Sequence, residues 1–186
     1  MKNPNKLLNV GIVGCGYIGN KRANSLKNLG NLFGVTDINT SRAKNLADFY
    51  NAKIFKNWNE LVRSTKIDVV IVATLHETLS KITLEALKFG KHVLVEKPAA
   101  RRSSELKNIL DILKDNDLKV RVGFNHRYHR SLQKAKEIID SGLLGELMFV
   151  RARYGHGGRL GYEKEWRSKP KLSGGGELID QGPHLI

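Results

Sequence analysis

Cysteine occurs once in the 186 residues, at Cys15. An internal disulfide is therefore impossible and no thiolate cluster can hold a metal, which points to a reducing, cytoplasmic setting. Proline is scarce at four residues, and a composition of 40% hydrophobic and 27% charged residues excludes collagen-like, low-complexity and wholly disordered chains. No apolar run approaches the roughly 20 residues that span a bilayer, and Met1 to Asn9 is basic and polar, so neither a signal peptide nor a membrane span is expected. Acid is the remaining shortage: 18 Asp and Glu against 32 Lys and Arg leave a net charge of +14. Such a charge draws anions of any kind. The lysines are nevertheless scattered over solvated helix faces, with no basic run interleaved with aromatics, and a nucleic-acid partner is not expected.

The length exceeds one domain of roughly 100 to 150 residues and falls short of two. From Leu8 to Val122, apolar runs of strand length alternate with segments of helical period, the pattern of a parallel sheet covered by helices. Strands are predicted over Leu8 to Val13, Leu32 to Thr36, Lys53 to Phe55, Val69 to Ala73, His92 to Val95 and Lys119 to Gly123. Helices are predicted over Ile18 to Leu29, Ser41 to Tyr50, Asn59 to Ser64, Thr78 to Phe89 and Ser103 to Asn116. Ser41 is a candidate cap and Gly90 a candidate stop. A further helix over Leu132 to Ser141 and a strand over Leu147 to Tyr154 precede a segment rich in glycine and charge. The fold class is α/β: a Rossmann-type doubly wound parallel sheet over residues 1–125, followed by the start of an α+β substrate domain over residues 126–186.

The most informative local signal is Gly14-Cys15-Gly16-Tyr17-Ile18-Gly19, directly after a strand and directly before a helix. In that setting Gly14 makes the tight turn, Gly16 lets backbone approach a pyrophosphate, and Gly19 packs the helix on the sheet. The helix amino terminus, at Tyr17 and Ile18, then faces the phosphates. Asp37 stands at the end of the second strand, about 20 residues on, where a carboxylate accepts hydrogen bonds from the ribose hydroxyls. It opposes a 2′-phosphate, so NAD is favoured, with NADP as the alternative because Arg42 is close in sequence. Cys15 is read as a small side chain filling a gap.

Ligands of doubly wound sheets sit outside the carboxyl ends of the strands. Thr74, Leu75 and His76 follow the fourth strand, Glu96, Lys97 and Pro98 the fifth, and Asn125, His126 and Arg127 the sixth. Thr74, His76, Glu96 and Lys97 are thereby candidates for the cofactor, and Asn125 and Arg127 for the substrate. For Lys97 a solvated loop lysine is the competing reading, and for His76 a ring packed at the domain edge.

Four stretches, Val10-Gly11-Ile12-Val13-Gly14-Cys15-Gly16-Tyr17-Ile18-Gly19, Val72-Ala73-Thr74, Gly90-Lys91-His92-Val93-Leu94-Val95-Glu96-Lys97-Pro98 and Gly174-Gly175-Gly176-Glu177-Leu178-Ile179-Asp180-Gln181-Gly182-Pro183-His184, resemble the Gfo/Idh/MocA family of NAD(P)-dependent oxidoreductases. The resemblance implies hydride transfer between NAD(P) and a secondary alcohol of a sugar, inositol or sugar derivative. It implies that Lys97, Asp180 and His184 form the catalytic group and also touch substrate, with His184 as general base. Residues four apart share a helix face, which suits Asp180 and His184. Pro183 disfavours helical geometry at Gly182, and Leu75, His76 and Leu79 depart from the family's usual residues after the fourth strand.

Members of the family usually carry a second domain on a large open sheet, so the substrate domain here is expected to be incomplete. The 186-residue chain is expected to bind NAD with little or no turnover, and the complete enzyme to be a homo-oligomer. The alternative is a catalytically silent dinucleotide-binding or regulatory module. Arg151, Arg153, Arg159, Lys164, Arg167, Lys169 and Lys171 leave two readings open, an anionic substrate or a solvated surface.

Overall fold

The computed structural model describes residues 7–155 and 160–184. Strands β1 (Leu8–Val13), β2 (Gly30–Thr36), β3 (Lys53–Ile54), β4 (Val69–Val72), β5 (His92–Val95) and β6 (Val120–Val122) form one sheet in the order β3-β2-β1-β4-β5-β6. Every neighbouring pair is parallel, so each connection must cross a face of the sheet. Helices α1 (Tyr17–Leu26), α2 (Thr40–Tyr50), α3 (Trp58–Arg63), α4 (His76–Lys88) and α5 (Lys107–Lys114) make those crossings. The order reverses between β1 and β4, which opens a crevice at their carboxyl ends.

Because helices cover both faces, β4 reads Val-Val-Ile-Val with no polar alternation. The pleat sends its side chains both ways: Val70 and Val72 join the cluster of α3, α4 and α5, while Ile71 joins the cluster of α1 and α2. Buried Lys91 donates to the carbonyls of Ser64 and Ile67, both at 2.8 Å, and so ties the loop before β4 to the turn before β5.

Several ends differ from the sequence expectation. Asn39, not Ser41, caps α2, its side chain accepting from the Arg42 amide at 3.1 Å. The predicted fourth crossing helix starts two residues early, which places His76 in its first turn. The predicted helix from Ser103 begins as a 3₁₀ turn, Ser103–Leu106, and becomes α5 only at Lys107.

After a 3₁₀ turn at Asn125–Tyr128, α6 (Arg130–Asp140) lies on the surface. The strand expected over Leu147 to Tyr154 is not formed. Its residues Met148 and Phe149 are 91% and 80% exposed, and among the described residues no strand lies beside it to complete its hydrogen bonds, without which an extended segment has no ladder. Arg159 of the basic stretch lies outside the described residues. The chain then returns to the sheet edge through 3₁₀ turns at Tyr162–Lys164 and Trp166–Ser168, short helices α7 (Pro170–Ser173) and α8 (Gly176–Asp180), and a 3₁₀ turn at Gly182–His184. Asp180 and His184 therefore do not share one helix: α8 stops at Asp180, and Pro183 lies in the tighter turn beyond. Among the described residues no helix is long and apolar enough to cross a membrane.

Candidate active site

The glycine turn divides its three glycines between packing and space. Gly14 has φ of +95°, and a Cβ there would sit 2.4 Å from the Ala73 carbonyl oxygen; a Cβ on Gly19 would sit 1.9 Å from the Gly14 carbonyl oxygen. Both are required by backbone packing. Gly16 differs, since a Cβ there would meet nothing nearer than the Arg42 guanidinium at 4.0 Å. It faces a cavity of about 1050 Å³ whose walls include Gly14, Tyr17, Ile18, Asp37, Arg42, Thr74, Trp166 and Arg167. Among the described residues no side chain caps α1, so its first-turn N–H groups are left for an anion in that cavity.

Asp37 is clamped at the end of β2, accepting from the Cys15 amide at 2.6 Å and from the Asn39 amide at 2.7 Å. A carboxylate has about four lone-pair directions, so it retains capacity for hydroxyl donors. Cys15 is buried, and burial followed by the nearby Asp37 charge pushes its thiol up to about 12. It stays protonated and fills space. An open glycine, an uncapped helix end and an acid one strand over fit a dinucleotide: Gly16 and α1 would hold its diphosphate and Asp37 a ribose.

A second cluster adjoins this cavity through Arg167. Lys97, at the end of β5, donates to the backbone carbonyl and to the carboxylate of Asp180, the latter at 2.6 Å. The other carboxylate oxygen accepts from Arg167 Nε at 3.1 Å and from Gln181 Nε2 at 3.1 Å. Asp180 is 2% exposed. Burial alone would raise its carboxyl, but the Lys97 hydrogen bond and the charges of Lys97, Arg167 and His76 outweigh it and hold the group below the usual carboxylate value. His184 is half-buried; burial first, then His126 and Lys97, lower its imidazole to about 4 against the opposing pull of Asp180. Lys97 and the ionised carboxylate of Asp180 thus meet at one edge of the sheet, with the unprotonated imidazole of His184 near enough to feel both charges.

The other expected residues have more varied surroundings. Thr74 lines the cavity and accepts from the Thr78 hydroxyl at 2.8 Å. His76 is buried; its Nδ1–H donates to the Ser173 carbonyl at 2.8 Å, its Nε2 is 3.7 Å from Asp180, and its ring stands edge-on to Trp166. That arrangement matches a packed ring at the domain edge and keeps it out of the cavity wall. Glu96 pairs with Arg22 of α1 at 2.5 Å, fastening β5 to that helix. Asn125 and Arg127 are exposed, whereas His126 between them stacks on His184. Neither His126 nor Arg167 stands out in the sequence: His126 follows a strand end with nothing to say which way it turns, and Arg167 is one of several cations in a basic stretch.

Residues 8–124 match the family described as "Oxidoreductase family, NAD-binding Rossmann fold", and residues 132–186 match the "GFO/IDH/MocA C-terminal domain". Among similar proteins, glucose-6-phosphate 3-dehydrogenase of Bacillus subtilis is 32% identical over 183 residues, 95% of this chain and 51% of that one. Myo-inositol 2-dehydrogenase of Thermotoga maritima is 28% identical over 147 residues, 77% of this chain and 44% of its own. Among solved structures, a levoglucosan dehydrogenase in complex with NADH and levoglucosan superposes with a TM-score of 0.84 at 25% identity, covering 97% of this chain and 52% of that one. The myo-inositol dehydrogenase of Lactobacillus casei, in complex with NAD(H) and myo-inositol, gives a TM-score of 0.70 at 29% identity over 75% of this chain and 43% of that one. The chain spans about half the length of the relatives it matches. With the glycine turn, the sheet order and the Lys97 cluster in place, this chain belongs to the GFO/IDH/MocA oxidoreductase family with its NAD-binding Rossmann fold.

Proposed function

We propose that this chain carries the cofactor cleft and the catalytic group of a dehydrogenase that transfers a hydride between NAD and a secondary alcohol of a sugar, inositol or related polyol. The observation that carries this reading is the contact of Lys97 with Asp180, residues 83 apart in sequence, beside a cavity bordered by the glycine turn. The relatives, named as dehydrogenases of inositol, levoglucosan and glucose 6-phosphate, support the alcohol class.

NAD supplies the hydride acceptor. The chain's own groups handle charge and protons. An ammonium has three N–H donors; Lys97 commits donors to Asp180 and retains capacity to donate to the substrate hydroxyl oxygen, stabilising the alkoxide character that develops there. Asp180, ionised between Lys97 and Arg167, holds that ammonium in place. His184 takes the hydroxyl proton on its imidazole, and its unprotonated state at neutral pH fits that task.

In an enzyme of the relatives' length that contains this segment, Lys97→Ala and His184→Ala should each lower turnover by at least about 10²-fold. NAD affinity, measured by calorimetry, should change little. If Lys97→Ala keeps most of its turnover on a polyol that the parent oxidises, the Lys97 contact is architecture only and the reading fails.

A further inference from the structure

Three rings from distant parts of the chain, the proposed base among them, meet in one cluster. His126 and His184 lie face to face, with centroids 3.8 Å apart and 17° between their planes. Tyr154 stands edge-on to both, at 5.2 Å from His126 and 5.9 Å from His184. His184 Nδ1 is buried and has no hydrogen-bond partner among the described residues. Catalytic histidines are ordinarily oriented by a hydrogen bond at the second ring nitrogen, which fixes both ring plane and tautomer. Among the described residues the ring of His184 is instead held by a flat ring against one of its faces.

We propose that His126 is the positioning residue of His184, its stacked ring setting the plane of the base and shielding one face of it from water. The inference rests on His184 being the base. His126 acts through His184 and not on the substrate. A stack opposes ring faces, so no N–H of one ring points at a lone pair of the other and no proton passes between them.

The stack also constrains charge. Two protonated imidazoles at this separation would repel, so the pair holds at most one proton over the ordinary pH range. The groups around it act the same way: Lys97 bears on both rings, and His129 and Lys21 bear on His126, while Asp180 favours a proton on His184. Burial leads the causes for each ring. The base therefore meets the substrate hydroxyl empty, and opening the stack to water would remove both the shielding and the neighbour.

The test is a pH titration of the histidine Cε1–H resonances in the 186-residue chain, which holds six histidines, with His184→Ala used for assignment. In the parent His184 should titrate well below 6.5. His126→Ala should raise that midpoint by at least about one unit, while His126→Phe, which restores a flat ring, should return it toward the parent value. Coupling is mutual, so removing His184 should raise the midpoint of His126 as well. Unshifted His76 resonances and unchanged NAD affinity would show that each variant is folded; if His126→Ala does not fold, the His126→Phe and His184→Ala titrations carry the test. In an enzyme of the relatives' length, the acid limb of the kcat profile should move up in His126→Ala and back in His126→Phe. If His184 titrates alike in parent, Ala and Phe chains, or if His126 ignores the loss of His184, the inference is overturned whatever the turnover. Absence of polyol oxidation in every variant, with the titrations as expected, would instead count against the dehydrogenase reading.

Discussion

Ile71 in β4 is 3% exposed and Phe149, beyond α6, is 80% exposed; the two apolar residues mark two ways of holding a chain in place. In the sheet, apolar side chains meet helices on both faces, and burial of this kind stabilises by roughly 25 cal/mol per Å² removed from water. From Leu143 to Val150 apolar side chains lie in the open. The segment after them is fastened to the sheet by polar groups: Asp180 on Lys97, the Ser173 carbonyl on His76, and the Lys171 carbonyl on Arg101 at 2.7 Å. Buried ion pairs contribute little net stability, because desolvation offsets most of their attraction. The sheet is thus the stable element, and the segment carrying Asp180 and His184 belongs to the low-stability end of the molecule. The site is assembled by the same contacts that anchor it.

The two regions should differ most in the core. Leu79 of α4 is fully buried and Leu144 is 61% exposed. Leu79→Ala should cost about 2–5 kcal/mol in urea unfolding and Leu144→Ala less than about 0.5 kcal/mol; equal losses would mean that the exposed segment is covered in solution. Within the glycine turn, Gly16→Trp should weaken NAD binding at least about 10²-fold with little change in Tm, since its side chain enters the cavity. Gly19→Ala should instead lower Tm, because its Cβ has no room. Calorimetry and thermal unfolding separate the two.

Smaller effects sharpen the contrast. Asp37→Ala should reduce the preference for NAD over NADP by about tenfold, read as a ratio of Kd values; an unchanged ratio would mean that Asp37 does not meet the ribose. Acid should act first on the polar anchor. His184 has a folded value of about 4 against 6.5 when free, so the unfolded chain takes a proton before the folded one does. Its contribution to stability is complete above pH 6.5 and is lost progressively as pH falls toward 4. Asp180 is lowered in the same sense from 3.8, and its contribution disappears only as pH falls below that value. Amide protection over residues 170–184 should therefore drop between pH 6.5 and 4 while that of β1 and β4 holds. A uniform drop would show that the two regions unfold together.

The glycine turn, the strand succession and Asp37 were legible because each is local: a turn chemistry, a period, a carboxylate at a strand end. The strand expected over Leu147 to Tyr154 has the composition of a strand, but extended chain becomes a strand only when another offers its backbone. Likewise the four-residue spacing of Asp180 and His184 suggested one helix face, and Pro183 ended the helix between them.

Local pattern and short-range stereochemistry are enough to specify the Rossmann sheet, the cofactor cleft and the residue types at the strand ends. Tertiary structure alone decided that Asp180 lands on Lys97 with Arg167 at its other oxygen, that His76 turns inward to Ser173, and that His126 rather than Asn125 or Arg127 faces His184. Those pairings depend on the direction of a side chain at the end of a strand and on where a distant segment returns, and both are settled only when the whole chain packs.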